Sequence, residues 1–114
     1  MSESIFTLLP ALVPGKKTDF LRILKSVSEF QQIELTFSMI VRHCKLMIAL
    51  STGIRPKDNP YLIRLAQSSL SHWPKESLLK FYYRLLTIDL NVKTGRNTPL
   101  NLKQQLEILV SFVL

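Results

Sequence analysis

The sequence of 114 residues is poor in cysteine and glycine, and both shortages limit what it can be. Its single cysteine, Cys44, has no disulfide partner within the chain and lies in an apolar stretch. We therefore expect Cys44 to be a small buried side chain, and the protein to reside in a reducing cytoplasm. Three glycines, with more Leu, Lys, Ser and Gln than Val, Ile and Thr, favour helices over sheets.

Long apolar runs and blocks of like charge are also missing. No apolar run approaches the roughly 18 residues of a membrane-spanning helix, and Leu46–Leu50 is bounded by Lys45 and Ser51. The formal net charge is nevertheless +7, from 15 basic and 8 acidic residues. Because the basic residues are scattered, this balance indicates a solvated surface with a positive bias and leaves an extended phosphate-binding face open.

Side chains for catalysis or metal binding do not occur in any known pattern. His43 and His72 have no cysteine or carboxylate at the spacing of metal ligands, and we expect His43 to be partly exposed beside Arg42. The segment Gly15–Thr18 resembles the end of a phosphate loop but lacks its first glycine. We therefore expect no catalysis by this chain, no cofactor and no metal.

Apolar residues recur at helical spacing in six segments, and no alternating strand pattern competes with them. The predicted helices cover about 5–12, 16–28, 31–52, 60–70 and 74–93, and a sixth begins at Thr98–Pro99. The third is apolar on more than one side, which indicates a central position. The sequence predicts an all-α fold, a compact bundle of about six helices, in a single domain over 1–114.

Capping residues define several predicted helix ends. Ser2 or Ser4 is expected to cap the first helix and Thr18 the second, while Asn59 caps the fourth with Pro60 at its first position. Two glycines fit the left-handed position just beyond a helix, Gly53 after the third and Gly95 after the fifth.

The end of the fifth helix, Asp89–Gly95, is the most specific segment of the chain. Asp89 lies at the edge of an apolar face, and Lys93 follows one turn later with the favourable order of acid before base. Three interpretations remain open: a routine surface ion pair, a structural lock that involves Arg96 or the backbone near Asn97, and a partner contact.

Aromatic and basic residues alternate in the segment Lys80–Arg84. Such a composition occurs in platforms that stack single-stranded nucleic acid. Helical spacing favours core packing instead, with Phe81 and Tyr82 facing inward and Tyr83 and Arg84 facing outward.

Several motifs, taken in order, resemble a known family. The motifs are Ile5–Leu12, Asn59-Pro60-Tyr61-Leu62, Trp73–Leu78, Leu86–Arg96 and a final leucine-rich helix. This order is similar to the C-terminal domain of the delta subunit of the bacterial DNA polymerase III clamp loader. The sharpest part is Asp89-x-x-x-Lys93-Thr94-Gly95, followed by Arg96. The chain departs from the family at Asn59 in place of histidine and at Pro74 in place of serine.

The resemblance implies a collar domain that supports clamp-loader assembly in DNA replication, with other clamp-loader subunits as partners and no catalysis of its own. The ATPase-like N-terminal domains of the family are not in this chain. A collar domain offers helical surfaces to its neighbours, so we expect some surplus apolar residues to form an exposed patch. The candidates are Leu79, Leu86 and Leu90 on the fifth helix and Leu35, Met39, Leu46 and Leu50 on the third.

A basic helical domain that binds nucleic acid is the alternative. In that case the helix Asn59–Leu70 would be the recognition helix, and Arg55, Lys57 and Arg64 would contact phosphates.

Overall fold

The computed structural model describes residues 4–95 and 101–114, and within these ranges every regular element is a helix. The elements are α1 (Ile5–Leu8), continued by a 3-10 turn over Leu9–Ala11, then α2 (Lys17–Ser28), α3 (Ile33–Ser51), α4 (Pro60–Leu70), α5 (Lys75–Lys93) and α6 (Leu102–Val113). The predicted all-α bundle of about six helices is confirmed. None of the helices in these two ranges is long and apolar enough to cross a membrane.

Helix α3 is the centre of the bundle, as its apolar pattern predicts. It packs against α4, α5 and α6, while α1 and its 3-10 turn pack against α2. The fully buried side chains of α3 and α5 include Ile40, Cys44, Met47, Leu78, Phe81 and Leu85. One continuous apolar cluster therefore draws on every helix.

The start of α4 is the predicted one, whereas α2 and α5 begin differently from their predictions. The Asn59 Oδ1 atom accepts the Tyr61 N–H at 2.8 Å, with Pro60 at the first helical position, as predicted. The prediction of Thr18 as a cap is wrong, because α2 begins directly after the Gly15 turn and Lys16 precedes it. Pro74, expected at the first position of the fifth helix, lies one residue before α5, where its carbonyl accepts the Leu78 N–H at 3.0 Å.

Two helix ends confirm the predicted glycines. Gly53 has a φ of +81° after α3, and Gly95 has a φ of +68° after α5. Their N–H groups donate to the carbonyls of Leu50 and Val92, so each glycine closes the last turn of its helix.

The first and last helices depart from their predicted limits. Helix α1 tightens into a 3-10 turn because Pro10 has no N–H to donate to the preceding turn. Ser4 precedes α1, but its side chain makes no capping hydrogen bond. Helix α6 begins after Asn101, which forms a reciprocal capping box with Gln104. Ser2, Thr98 and Pro99 lie outside the described residues.

Trp73 joins the α4–α5 connection to the start of the chain. Its ring is buried, and its Nε1–H donates to the Leu12 carbonyl at 2.9 Å. The ring also contacts that of Phe81, with 5.3 Å between ring centres. Trp73 and Leu12 are 61 residues apart in sequence, so this contact links the start of α5 to the end of the 3-10 turn.

Candidate protein-interaction surface

An apolar stripe lies on the outer side of α5, opposite the buried Leu78, Phe81 and Leu85. It consists of Leu79, Tyr83, Leu86 and Leu90, all of them exposed. The intervals of four, three and four residues are those of a heptad seam, the pattern by which one helix packs along another. Tyr83 is 72% exposed and Leu90 is 57% exposed. No other helix of the described residues therefore packs over the seam.

Helix α6 forms a groove with α5, and this groove adjoins the stripe at Tyr83. Ile108 is exposed and Phe112 is 82% exposed, the highest value among the large apolar side chains of the described residues. Two hollows lie between α5 and α6, and Arg84 and Phe112 line both of them. The hollows are therefore adjacent and together form the groove. We define the α5–α6 surface as Leu79, Tyr83, Leu86, Leu90, Ile108 and Phe112.

The charges along the groove have one sign. Lys80 and Arg84 are the charged residues that line the two hollows, and no carboxylate lines either of them. Neither cation has an ion-pair partner among residues 4–95 and 101–114. The groove thus combines apolar walls with two solvated cations on the α5 side.

The predicted interface residues differ in how exposed they are. Leu79, Leu86 and Leu90 are exposed, as is Leu35 on α3, so the expectation that some candidates form an exposed patch is confirmed. Met39 and Leu50 are half-buried against the core. Leu46 is 5% exposed, so its prediction as an interface residue is wrong.

The burial of Leu46 follows from its neighbours. It lines a small cavity with Leu9 of the 3-10 turn and Leu62 of α4. The apolar second side of α3 is thus partly covered by the α1 turn and α4, a contact that helical periodicity alone does not reveal.

Ile108 and Phe112 are the surface residues that sequence analysis missed. The predicted stripe of α6 consists of Leu102, Leu106, Leu109, Val110 and Val113, and all five side chains are buried or half-buried. The available signal was a pair of large apolar residues four apart that the stripe does not include.

The motif Asp89–Gly95 closes α5 beside the stripe. The Lys93 Nζ atom lies 2.9 Å from the Asp89 Oδ2 atom, and their side chains are 71% and 33% exposed. A pair this exposed contributes only about 0.3–0.5 kcal/mol, which favours the routine surface pair. Thr94 Oγ1 donates to the Leu90 carbonyl at 2.8 Å. Arg96 and Asn97, on which the structural lock depends, lie outside the described residues.

The basic residues of the alternative function lie on a different face. Arg55, Lys57 and Arg64 are all exposed, and Arg55 and Arg64 line a groove between the α3–α4 loop and α4. Asp58 of the same loop is bound by Arg42, with 3.0 Å between Arg42 Nε and Asp58 Oδ2. The hydrogen bond from Arg42, and then the one from the Asn59 N–H, hold the pKa of Asp58 below its usual range.

The two side chains His43 and Cys44 are both buried. The burial of Cys44 confirms its prediction, and desolvation raises the pKa of its thiol. The prediction of a partly exposed His43 is wrong, since it shares the inner face of α3 with Ile40 and Met47. Neither ring nitrogen has a hydrogen-bond partner in the described chain, and burial lowers the pKa of His43 to about 4.

The aromatic segment of α5 divides as its spacing predicts. Phe81 is fully buried and Tyr82 packs against the core, whereas Tyr83 and Arg84 face outward. Among the described residues, no three His, Cys, Asp or Glu side chains lie close enough to hold a metal ion. No protein-family model, curated protein or solved structure matches the chain.

Proposed function

We propose that this chain is a subunit-interaction domain that helps to hold a multiprotein complex together. The observation that supports this proposal is the uncovered α5–α6 surface, with Phe112 82% exposed at its centre. Scattered apolar residues are normal on a protein surface, but a heptad stripe continuous with an apolar groove is typical of a binding site.

The energetics of the surface favour a protein partner. Full burial of a Leu, Ile or Phe side chain contributes about 1.5–3 kcal/mol, and the α5–α6 surface presents six large side chains that are all more than a third exposed. Aromatic side chains near the centre of an interface supply much of the binding energy. Tyr83 and Phe112 are suited to that role, because they flank the groove from opposite helices.

The partner class follows from the motif resemblance. We propose a collar domain of the DNA polymerase III delta-subunit type, which would bind other clamp-loader subunits in the cytoplasm and perform no catalysis of its own. The fold supports this by presenting exposed apolar side chains on helical faces. The Asp89–Gly95 motif supports it by ending α5 directly beyond Leu90, at one end of the stripe.

A complex with clamp-loader subunits is the test of this function. The purified chain would be mixed with the other subunits of a bacterial clamp loader and separated by size-exclusion chromatography with light-scattering detection. We expect a stoichiometric complex, because binding to a partner subunit buries the exposed apolar side chains of the stripe. A chain that elutes alone in the presence of every subunit would contradict the proposal.

A nucleic-acid-binding domain is the second candidate. The observation in its favour is the groove that brings Arg55 and Arg64 together beside α4, without an ion pair for either within the described ranges. If this groove binds DNA, the logarithm of the binding constant should fall with the logarithm of salt concentration, by about 0.9 per phosphate contact. An absence of DNA binding at low salt would remove this candidate.

A further inference from the structure

We infer that the partner segment seated in the α5–α6 groove is an acidic amphipathic helix. The inference rests on the proposed function in requiring a protein partner, but it does not depend on which complex that partner belongs to. Two observations carry it: the helical geometry of the apolar walls, and the single sign of the charges between them.

The geometry of the groove fits a helix of about three turns. On α5 the lining runs from Ser77 to Ile88, which at 1.5 Å per residue is a length of about 17 Å. Val113 lines the hollow at the start of this segment and Gln105 lines the hollow at its end, so α6 runs antiparallel to α5. A third helix laid in this groove would contact Tyr83 and Ile88 on the α5 wall. On the α6 wall it would contact Ile108 and Phe112, which are one helical turn apart.

The two cations of the groove determine which charges the partner helix must carry beside its apolar face. A helix that covers the groove removes water from the ammonium of Lys80 and the guanidinium of Arg84. A cation that loses water without gaining an acceptor is destabilised, and no carboxylate lines the groove to offset that loss. The partner must therefore bring its own carboxylates, and Arg84 is placed to bind one of them through two parallel N–H groups.

A second copy of the chain is a poorer occupant. In a two-fold dimer formed by this groove, the same cations of each copy would approach one another, and each copy carries a net charge of +7. Single-stranded nucleic acid would satisfy the cations, since Tyr83 and Phe112 could stack bases. The aliphatic side chains of Ile88, Ile108 and Val113 in the walls, and the antiparallel pair of helices that forms them, favour a helix.

A displayed peptide library tests the inference. The peptides would be helical, about 15 residues long, with leucine fixed at heptad positions and Glu, Gln or Lys varied at the flanking positions. We expect the wild-type chain to enrich glutamate at the flanks, and the best peptide to bind the double variant Lys80→Glu/Arg84→Glu at least about tenfold more weakly. The double variant should instead enrich lysine.

The matched control is the double variant Arg55→Glu/Lys57→Glu, which changes the net charge equally at two exposed positions away from the groove. It should retain the preference for glutamate. The inference is wrong if the wild-type chain enriches no peptide, if the flanks show no charge preference, or if the control loses that preference too. It is also wrong if a thymidine oligonucleotide binds the wild-type chain and Lys80→Glu/Arg84→Glu abolishes that binding.

The outcome is separable from that of the proposed function. If acidic helices are selected but no clamp-loader subunit binds, the clamp-loader assignment fails and the groove specificity stands. If clamp-loader subunits bind the wild type and Lys80→Glu/Arg84→Glu with equal affinity, the interaction domain stands and the acidic helix is excluded.

Discussion

Replacing Trp73 with alanine is expected to lower the free energy of unfolding by about 3–5 kcal/mol, the usual cost of removing a buried aromatic side chain. The substitution removes the ring that contacts Phe81 and the donor that binds the Leu12 carbonyl. It leaves a cavity between the start of α5 and the α1 turn. Trp73→Phe keeps the six-membered ring and loses the pyrrole part with its N–H donor, so a smaller loss of about 1–2 kcal/mol is expected.

The measurement is urea unfolding followed by far-ultraviolet circular dichroism, since the chain has only one tryptophan and each variant removes it. Phe112→Ala is the matched control, because it truncates an aromatic ring that is 82% exposed and should change stability by less than about 0.5 kcal/mol. A loss below about 1 kcal/mol for Trp73→Ala would show that the ring does not tie the α4–α5 connection to the α1 turn.

Stability is expected to fall as the pH drops from 6.5 towards 4, because His43 is buried without a hydrogen-bond partner. The folded-state pKa is about 4, against about 6.5 in an unfolded chain. Between these values the unfolded chain binds a proton that the folded chain excludes, so acid favours unfolding. The expected loss is about 2 kcal/mol between pH 7 and pH 5, and about 3 kcal/mol below pH 4.

Urea unfolding at pH 7 and pH 5 measures this dependence. His43→Leu removes the titrating group and replaces it with an apolar side chain, so the variant should lose most of the difference between the two pH values. His72→Gln is the control, because His72 is exposed and its replacement should leave the difference in place. An unchanged pH dependence in His43→Leu would show that the cost of protonation does not come from this ring.

Much of the fold could be predicted from the sequence because local rules and burial agree along most of the chain. Asn59 followed by Pro60 defines the start of α4, and Gly53 and Gly95 define the ends of α3 and α5. The error at Thr18 arose because any Ser or Thr near a turn can be a cap. Which residue caps the helix depends on where the Gly15 turn ends and α2 begins.

The misplacement of His43 has a different cause. Its neighbour Arg42 suggested an exposed position, whereas the spacing from Ile40 and Met47 places it on the inner face of α3. Periodicity carried the correct information, and the usual preference of a polar side chain for water was the weaker guide.

The candidate surface could be predicted only in part. The leucines of α5 stand out because they occupy the helix side opposite its core residues, and three of them are exposed as expected. The groove itself depends on how α6 packs beside α5, which places Phe112 next to Arg84. Residues about 28 positions apart meet there through tertiary packing, and no local pattern encodes such a meeting.

The affinity of a clamp-loader partner for the chain and for Phe112→Ser tests the central claim most directly. Phe30→Ser is the matched control, since Phe30 is also highly exposed but lies outside the α5–α6 surface. We predict that Phe112→Ser weakens binding at least about tenfold, as expected for an aromatic anchor, and that Phe30→Ser leaves the affinity unchanged. Equal binding by the wild type and Phe112→Ser would contradict an interaction domain that works through the α5–α6 surface.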